Sequence, residues 1–148
     1  MRGKQRSSAP LTIVLDENLA SEELRAVLAP IRRASGAQID LHTAHLARGT
    51  KDPVWLPVAA ERNWAVISCD VSVKRRPAEK DIVMQAGVCM YVLRGDLNGD
   101  QIRDALVKAL PAICQRHRRL VPPVICHISR AGEVTVKLGA RRGGIRRA

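Results

Sequence analysis

Four short strand-like runs, each separated from the next by a stretch that reads as helix, constrain this chain more than any other feature. They are Leu11–Asp16 (LTIVLD), Gln38–His42 (QIDLH), Ala65–Cys69 (AVISC) and Val88–Leu93 (VCMYVL). The first is short and apolar enough for a buried central strand, whereas QIDLH alternates like a strand. After the first run, Ser21 precedes Glu22 and Glu23, an N-cap followed by acids that complement a helix dipole. That helix is expected to stop near Leu28, because Pro30 disfavours helix just before it. Asp52 and Pro53 open a second helix that runs to Arg62, and Pro77–Gln85 forms a third. Asp100–Arg116 is the longest helical pattern, with Ile102, Ala105, Leu106 and Ala109 at helical spacing. Pro111 is expected to bend or shorten it. Val124–Ser129 and Glu133–Leu138 flank Arg130-Ala131-Gly132 as a hairpin. The expected fold class is therefore α/β, a mostly parallel central sheet flanked by helices, with a C-terminal β-hairpin.

With 148 residues the chain is the size of one domain, able to build a core without disulfides or metal staples. That domain is expected over residues 11–138, with a basic flexible arm at 1–10 and a basic flexible tail at 139–148. The aromatics are Trp55, Trp64 and Tyr91, with no Phe. Nucleic-acid readers that stack bases on aromatic faces, such as OB-folds and RRMs, are thereby disfavoured. The net charge of +11 nonetheless attracts polyanions, and phosphate backbones are the commonest. Cys69, Cys89, Cys114 and Cys126 form no CxxC pair and sit among apolar neighbours, as buried free thiols of a reducing, cytoplasmic compartment do. Their spacing to His42, His45, His117 and His127 fits no zinc finger or knuckle. The first residues carry no apolar export signal, and no run approaches the ~18 apolar residues of a membrane span. No membrane partner is expected.

In an open parallel sheet, ligands bind at the carboxyl ends of the strands. Two runs end there in acid, Asp16-Glu17 after LTIVL and Asp70 after AVISC. Asp52, at the start of a helix, faces the same edge. Clustered carboxylates repel unless something neutralises them, and a hard divalent cation, Mg²⁺ or Mn²⁺, does so through oxygen. Such an ion polarises a phosphate and activates water. The expected catalytic set is Asp16, Glu17, Asp52 and Asp70, with Asp16, Asp52 and Asp70 as metal ligands. Lys74, Arg75 and Arg76 follow Asp70 and are placed to hold flanking phosphates, or form a solvated basic loop. Ser68 either orients a metal-bound water or is a buried strand hydroxyl. Asp81 reads as a surface charge, and Asp40, Asp96, Asp100 and Asp104 as solvated or capping acids.

These residues resemble a PIN-like domain, and more narrowly the VapC-like toxin ribonucleases with a Leu-Asp-Glu-Asn start. The resemblance rests on L-D-E-N-L at Leu15–Leu19, G-T-K-D-P-V-W-L at Gly49–Leu56 and A-E-R-N-W-A-V-I-S-C-D at Ala60–Asp70. R-R-P-A-E-K and A-G-V-C-M-Y-V-L follow in order and spacing, so it covers roughly Leu11 to Leu93. It implies a Mg²⁺- or Mn²⁺-dependent enzyme that cuts single-stranded RNA, and a cognate antitoxin that blocks the site. Asp16, Asp52 and Asp70 match the family's acids in turn, Glu17 accompanies Asp16, and Ser68 stands where relatives often have Thr. Ser72 departs from the pattern, since many relatives carry a further Asp there. That departure favours the main alternative, a non-catalytic nucleic-acid-binding or regulatory protein on the same scaffold. A phosphoryl-accepting domain with Asp70 as acceptor is a third reading, opposed by Arg94 where that class needs Lys. The expected partners are RNA and an antitoxin protein, and a homodimer is compatible with the chain.

Overall fold

The computed structural model describes residues 11–16, 19, 22–41, 44–46, 52–70, 77–94 and 96–139. Glu17, Ser72, Lys74, Arg75, Arg76, the arm at 1–10, the Ser21 cap and residues 140–148 lie outside the described residues. Six strands are described: β1 (Thr12–Leu15), β2 (Gln38–Leu41), β3 (Ala65–Asp70), β4 (Cys89–Arg94), β5 (Val124–Ile128) and β6 (Val134–Gly139). The helices are α1 (Glu22–Ser35), α2 (Asp52–Glu61), α3 (Pro77–Ala86) and α4 (Gly99–His117). One sheet holds all six strands in the order β2-β1-β3-β4-β5-β6. The first five run parallel, and β6 returns antiparallel beside β5. The expected α/β class, parallel sheet and terminal hairpin are all present.

Strand alternation divides the core into two layers. On one face Ile13, Leu15, Ile67, Tyr91, Leu93 and Cys126 pack against Leu28 of α1 and Ala105, Leu106, Leu110 and Ile113 of α4. On the other, Val14, Val66, Met90 and Ile125 pack against Trp55, Leu56 and Ala59 of α2 and Val83 of α3. Both β3–α3–β4 and β4–α4–β5 step to the next parallel strand in the same direction, yet their helices cover opposite faces, so these two connections have opposite hands. The hand of the last one brings α4 beside α1 and covers the face that α1 alone would leave bare.

One helix boundary differs from the sequence expectation, and one helix is not shortened by its proline. α1 continues through Pro30 to Ser35, and α4 runs unbroken through Pro111 to His117. α2 likewise contains Pro57. All three prolines are exposed, so the carbonyl that each ring deprives of its hydrogen bond is turned toward water. Beside them Leu28, Leu56 and Leu110 are buried, and their packing outweighs the local penalty. The start of α4 is fixed by a capping box that sequence reasoning missed: Asn98 Oδ1 accepts from Gln101 N, and Gln101 Oε1 accepts from Asn98 N, both at 2.9 Å.

Below the sheet, His117 ties three elements together. Its Nε2 lies 3.2 Å from the Asn63 carbonyl oxygen, and its Nδ1 lies 3.0 Å from Tyr91 Oη. A carbonyl only accepts, so Nε2 carries the proton and Tyr91 donates to Nδ1. Burial holds the His117 pKa below its ordinary value of 6.5. The unfolded chain therefore binds the proton more readily, so stability is expected to fall as pH drops below about 6.5, and to level off once pH is under the folded-state value. Chemical denaturation of the parent and of His117→Gln at several pH values checks this, the pH slope shrinking in the variant. Tyr91→Phe leaves Nδ1 buried without its donor and should cost about 1–3 kcal/mol at neutral pH. Cys69, Cys89 and Cys126 are buried free thiols and Cys114 is half-buried. Burial pushes Cys89 up to about 12 and Cys126 up to about 11, so both stay protonated and unreactive.

Candidate functional site

A strand order of β2-β1-β3 reverses direction between β1 and β3, because the chain first steps to one side of β1 and then returns to the other. At such a switch point the connections leave on opposite faces and open a crevice at the carboxyl ends of the two strands. Asp16 lies at that crevice and is held by its main chain. Its N–H donates to Ile67 O at 2.9 Å, extending the β1–β3 ladder, and its carbonyl accepts from Leu19 N at 2.8 Å. Leu19 is buried and anchors the turn. The side chain is half-buried and held as well, since Ser68 Oγ donates to Asp16 Oδ2 at 3.0 Å. The residue is thus held at three points, two on its main chain and one on its carboxylate.

Asp70 ends β3, two positions beyond Ser68 on the same strand, and pairs in register with Arg94 of β4. Asp52 is the first residue of α2. The crossover from β2 to β3 returns the chain to the amino end of the sheet, so α2 begins at the carboxyl edge. Its Trp55 and Leu56 pack on the face that carries Val14 and Val66 of β1 and β3. Backbone topology thus brings the positions of Asp16, Asp52 and Asp70 to one edge. For Asp52 and Asp70 the backbone alone is described, and Glu17, Lys74, Arg75 and Arg76 lie outside the described residues. Among the described residues, no group of three or more His, Cys, Asp and Glu side chains is placed to hold a metal ion.

Ser68 makes a contact that the sequence does not place. The residues alone allow a metal-bound water or a strand hydroxyl, whereas in the fold its hydroxyl donates to the Asp16 carboxylate. The parallel register that pairs Leu15 with Ile67 sets Asp16 opposite Ser68, and this long-range pairing has no local signal. Partners that orient a reactive carboxylate typically carry 10–100-fold in affinity or activity. Ser68→Ala removes this bond to Asp16, whereas Ser68→Thr keeps the hydroxyl that makes it.

Asp40 corrects a second expectation. It is not solvated: its Oδ2 accepts from Gln38 Nε2 at 2.8 Å and lies 2.7 Å from His45 Nε2, and its side chain is 16% exposed. The turn after β2 folds His45 back over Asp40 and against Trp64, with ring centroids 4.6 Å apart. Asp81, Asp96, Asp100 and Asp104 are exposed as expected, and Asp100 and Asp104 pair with Arg103.

Among the described residues no helix is long and apolar enough to cross a membrane. The family model described as a PIN like domain matches residues 11–95, which span β1 to β4 and the positions of Asp16, Asp52, Ser68 and Asp70. No curated protein and no solved structure matches the chain.

Proposed function

The chain belongs to the PIN-like domain family, and from that premise we propose that it is a metal-dependent endoribonuclease cutting single-stranded RNA, with Asp16 as its central ligand. PIN-like domains are generally nucleases and usually use divalent metals, so hydrolysis of a phosphodiester is the coarse assignment. The observation that carries the finer one is Asp16 itself, fixed at the switch point by Ile67, Leu19 and Ser68. The donor set suits the ion: Asp16, Asp52 and Asp70 offer oxygen alone, which Mg²⁺ and Mn²⁺ prefer. When bound, the ion lowers the pKa of water and neutralises charge on the scissile phosphate. Asp16 contributes a carboxylate whose rotamer Ser68 holds, so little reordering is needed on binding. Glu17 joins this set as a fourth carboxylate, and Lys74, Arg75 and Arg76 supply cations for flanking phosphates. The proposal extends to a toxin paired with an antitoxin protein that covers the acidic edge.

Ser72 in place of a further acid supports one second reading, a nucleic-acid-binding protein without turnover. Purified protein incubated with single-stranded RNA, single-stranded DNA and duplex RNA separates the two. Cleavage of the single-stranded RNA in Mg²⁺ or Mn²⁺, abolished by EDTA and restored by added metal, is expected. Binding without cleavage under every metal condition would establish the second reading.

A further inference from the structure

The positive charge is concentrated in one part of this chain. Residues 108–148 hold ten basic residues and one acidic residue, whereas residues 11–95 hold eleven basic and ten acidic. Most of the net charge of +11 therefore lies outside the stretch that the family model matches.

Six of those cations are described, and all are exposed: Lys108, Arg116, Arg118, Arg119, Arg130 and Lys137. The fold gathers them along the seam between α4 and the β5–β6 hairpin. The hairpin turn sits directly on the helix, since a Cβ at Gly132 would fall 2.5 Å from Lys108 Cβ. Arg116 Nη1 donates to Val134 O at 2.8 Å and ties the helix to the start of β6. Arg118 and Arg119 follow directly on the end of α4, where Arg119 N donates to Arg116 O at 2.8 Å. Among the described residues none of the six is in an ion pair, in contrast to Arg103, which meets Asp100 and Asp104 at 3.5 and 3.3 Å. The helix dipole accounts for cations at the end of α4. It does not account for Lys108 in mid-helix or for Arg130 and Lys137 on the hairpin.

The seam also leads to the site. The turn bearing Arg130 follows β5, two strands from β3 at the same carboxyl edge, roughly 10 Å away at ordinary strand spacing. We infer that the α4–hairpin seam is a track for the phosphate backbone of single-stranded RNA, holding the strand beside the crevice at Asp16. Buried or scarce aromatics leave no stacking platform, so the track reads charge and not base sequence. The identity of the polyanion rests on the ribonuclease reading, while the track itself does not require cleavage.

The test is binding of labelled polyuridylate across a salt series, in the Asp16→Asn background so that the probe stays intact. Arg118→Gln, Arg119→Gln, Arg130→Gln and Lys137→Gln combined should weaken binding at least about ten-fold near 0.15 M salt. The slope of log affinity against log salt should flatten by about 0.7 for each phosphate that the variant no longer neutralises. The Lys versions of the three arginines should keep the parental slope, which guards against a folding defect. An unchanged slope in the Gln variant overturns the inference. So does an unchanged RNA slope combined with failure to bind polyglutamate, which would assign the seam to an acidic protein. If the parent protein cleaves no RNA but shows the expected slope change, the enzyme reading fails and the track stands.

Discussion

On the ribonuclease reading, Asp16→Asn is expected to leave the protein folded and to lower RNA cleavage by at least about 100-fold, the upper end of what removing an outer-shell partner costs a metal site. Asn keeps the shape of Asp and an oxygen that accepts from Ser68, so the packing around Leu19 and Ile67 persists. What it lacks is the negative charge that draws a divalent cation. The expected signature is a fall in turnover with an unaltered circular dichroism spectrum and, in the metal-free protein, a raised melting temperature as like-charge repulsion is relieved. Raising Mn²⁺ should recover part of the rate if the lesion is metal affinity. Parental activity in Asp16→Asn would show that the carboxylate at the switch point is structural.

Gly132→Ala is expected to destabilise the fold by roughly 2–5 kcal/mol, combining left-handed strain with overpacking. Gly132 has φ +87°, a region that residues with a Cβ rarely adopt. An added Cβ would also meet Lys108 Cβ at 2.5 Å and Ala105 O at 3.1 Å. Backbone on the α4 side yields little, so the hairpin would have to lift from the helix and expose Ile128 and Val134, both buried. Urea denaturation measures the destabilisation. A change within about 0.5 kcal/mol, the range of ordinary surface substitutions, would mean that the hairpin is not docked on the helix.

Much of this architecture is legible in the residues. LTIVLD and AVISCD announce buried strands that end in acid, and the alternation with helices places those ends on one edge. Asp16 is therefore readable as a candidate site residue from the sequence. What is not readable is lateral order. No local signal says that β1 lies between β2 and β3, and only that order makes the ends of β1 and β3 a switch point. The Ser68 contact with Asp16, the Asp40–His45 pair and the His117 junction all join residues that strand order or a folded turn brings together. The end of α1 and the unshortened α4 differ from expectation for a related reason. Pro30 and Pro111 weigh against helix locally, but burial of Leu28 and Leu110 decides the outcome through tertiary packing. The cap at Asn98 is another matter, because N-x-x-Q at Asn98–Gln101 is a capping signal visible in the residues themselves.

Metal binding, read apart from turnover, tests the central claim most directly. Mn²⁺ is titrated into the metal-free protein and the free ion is followed by electron paramagnetic resonance, for the parent and for Asp16→Asn. Saturable binding by the parent, competed by Mg²⁺, is predicted, together with at least about ten-fold weaker binding by the variant. Equal Mn²⁺ affinity in the two proteins, or no saturable binding by the parent, would contradict it.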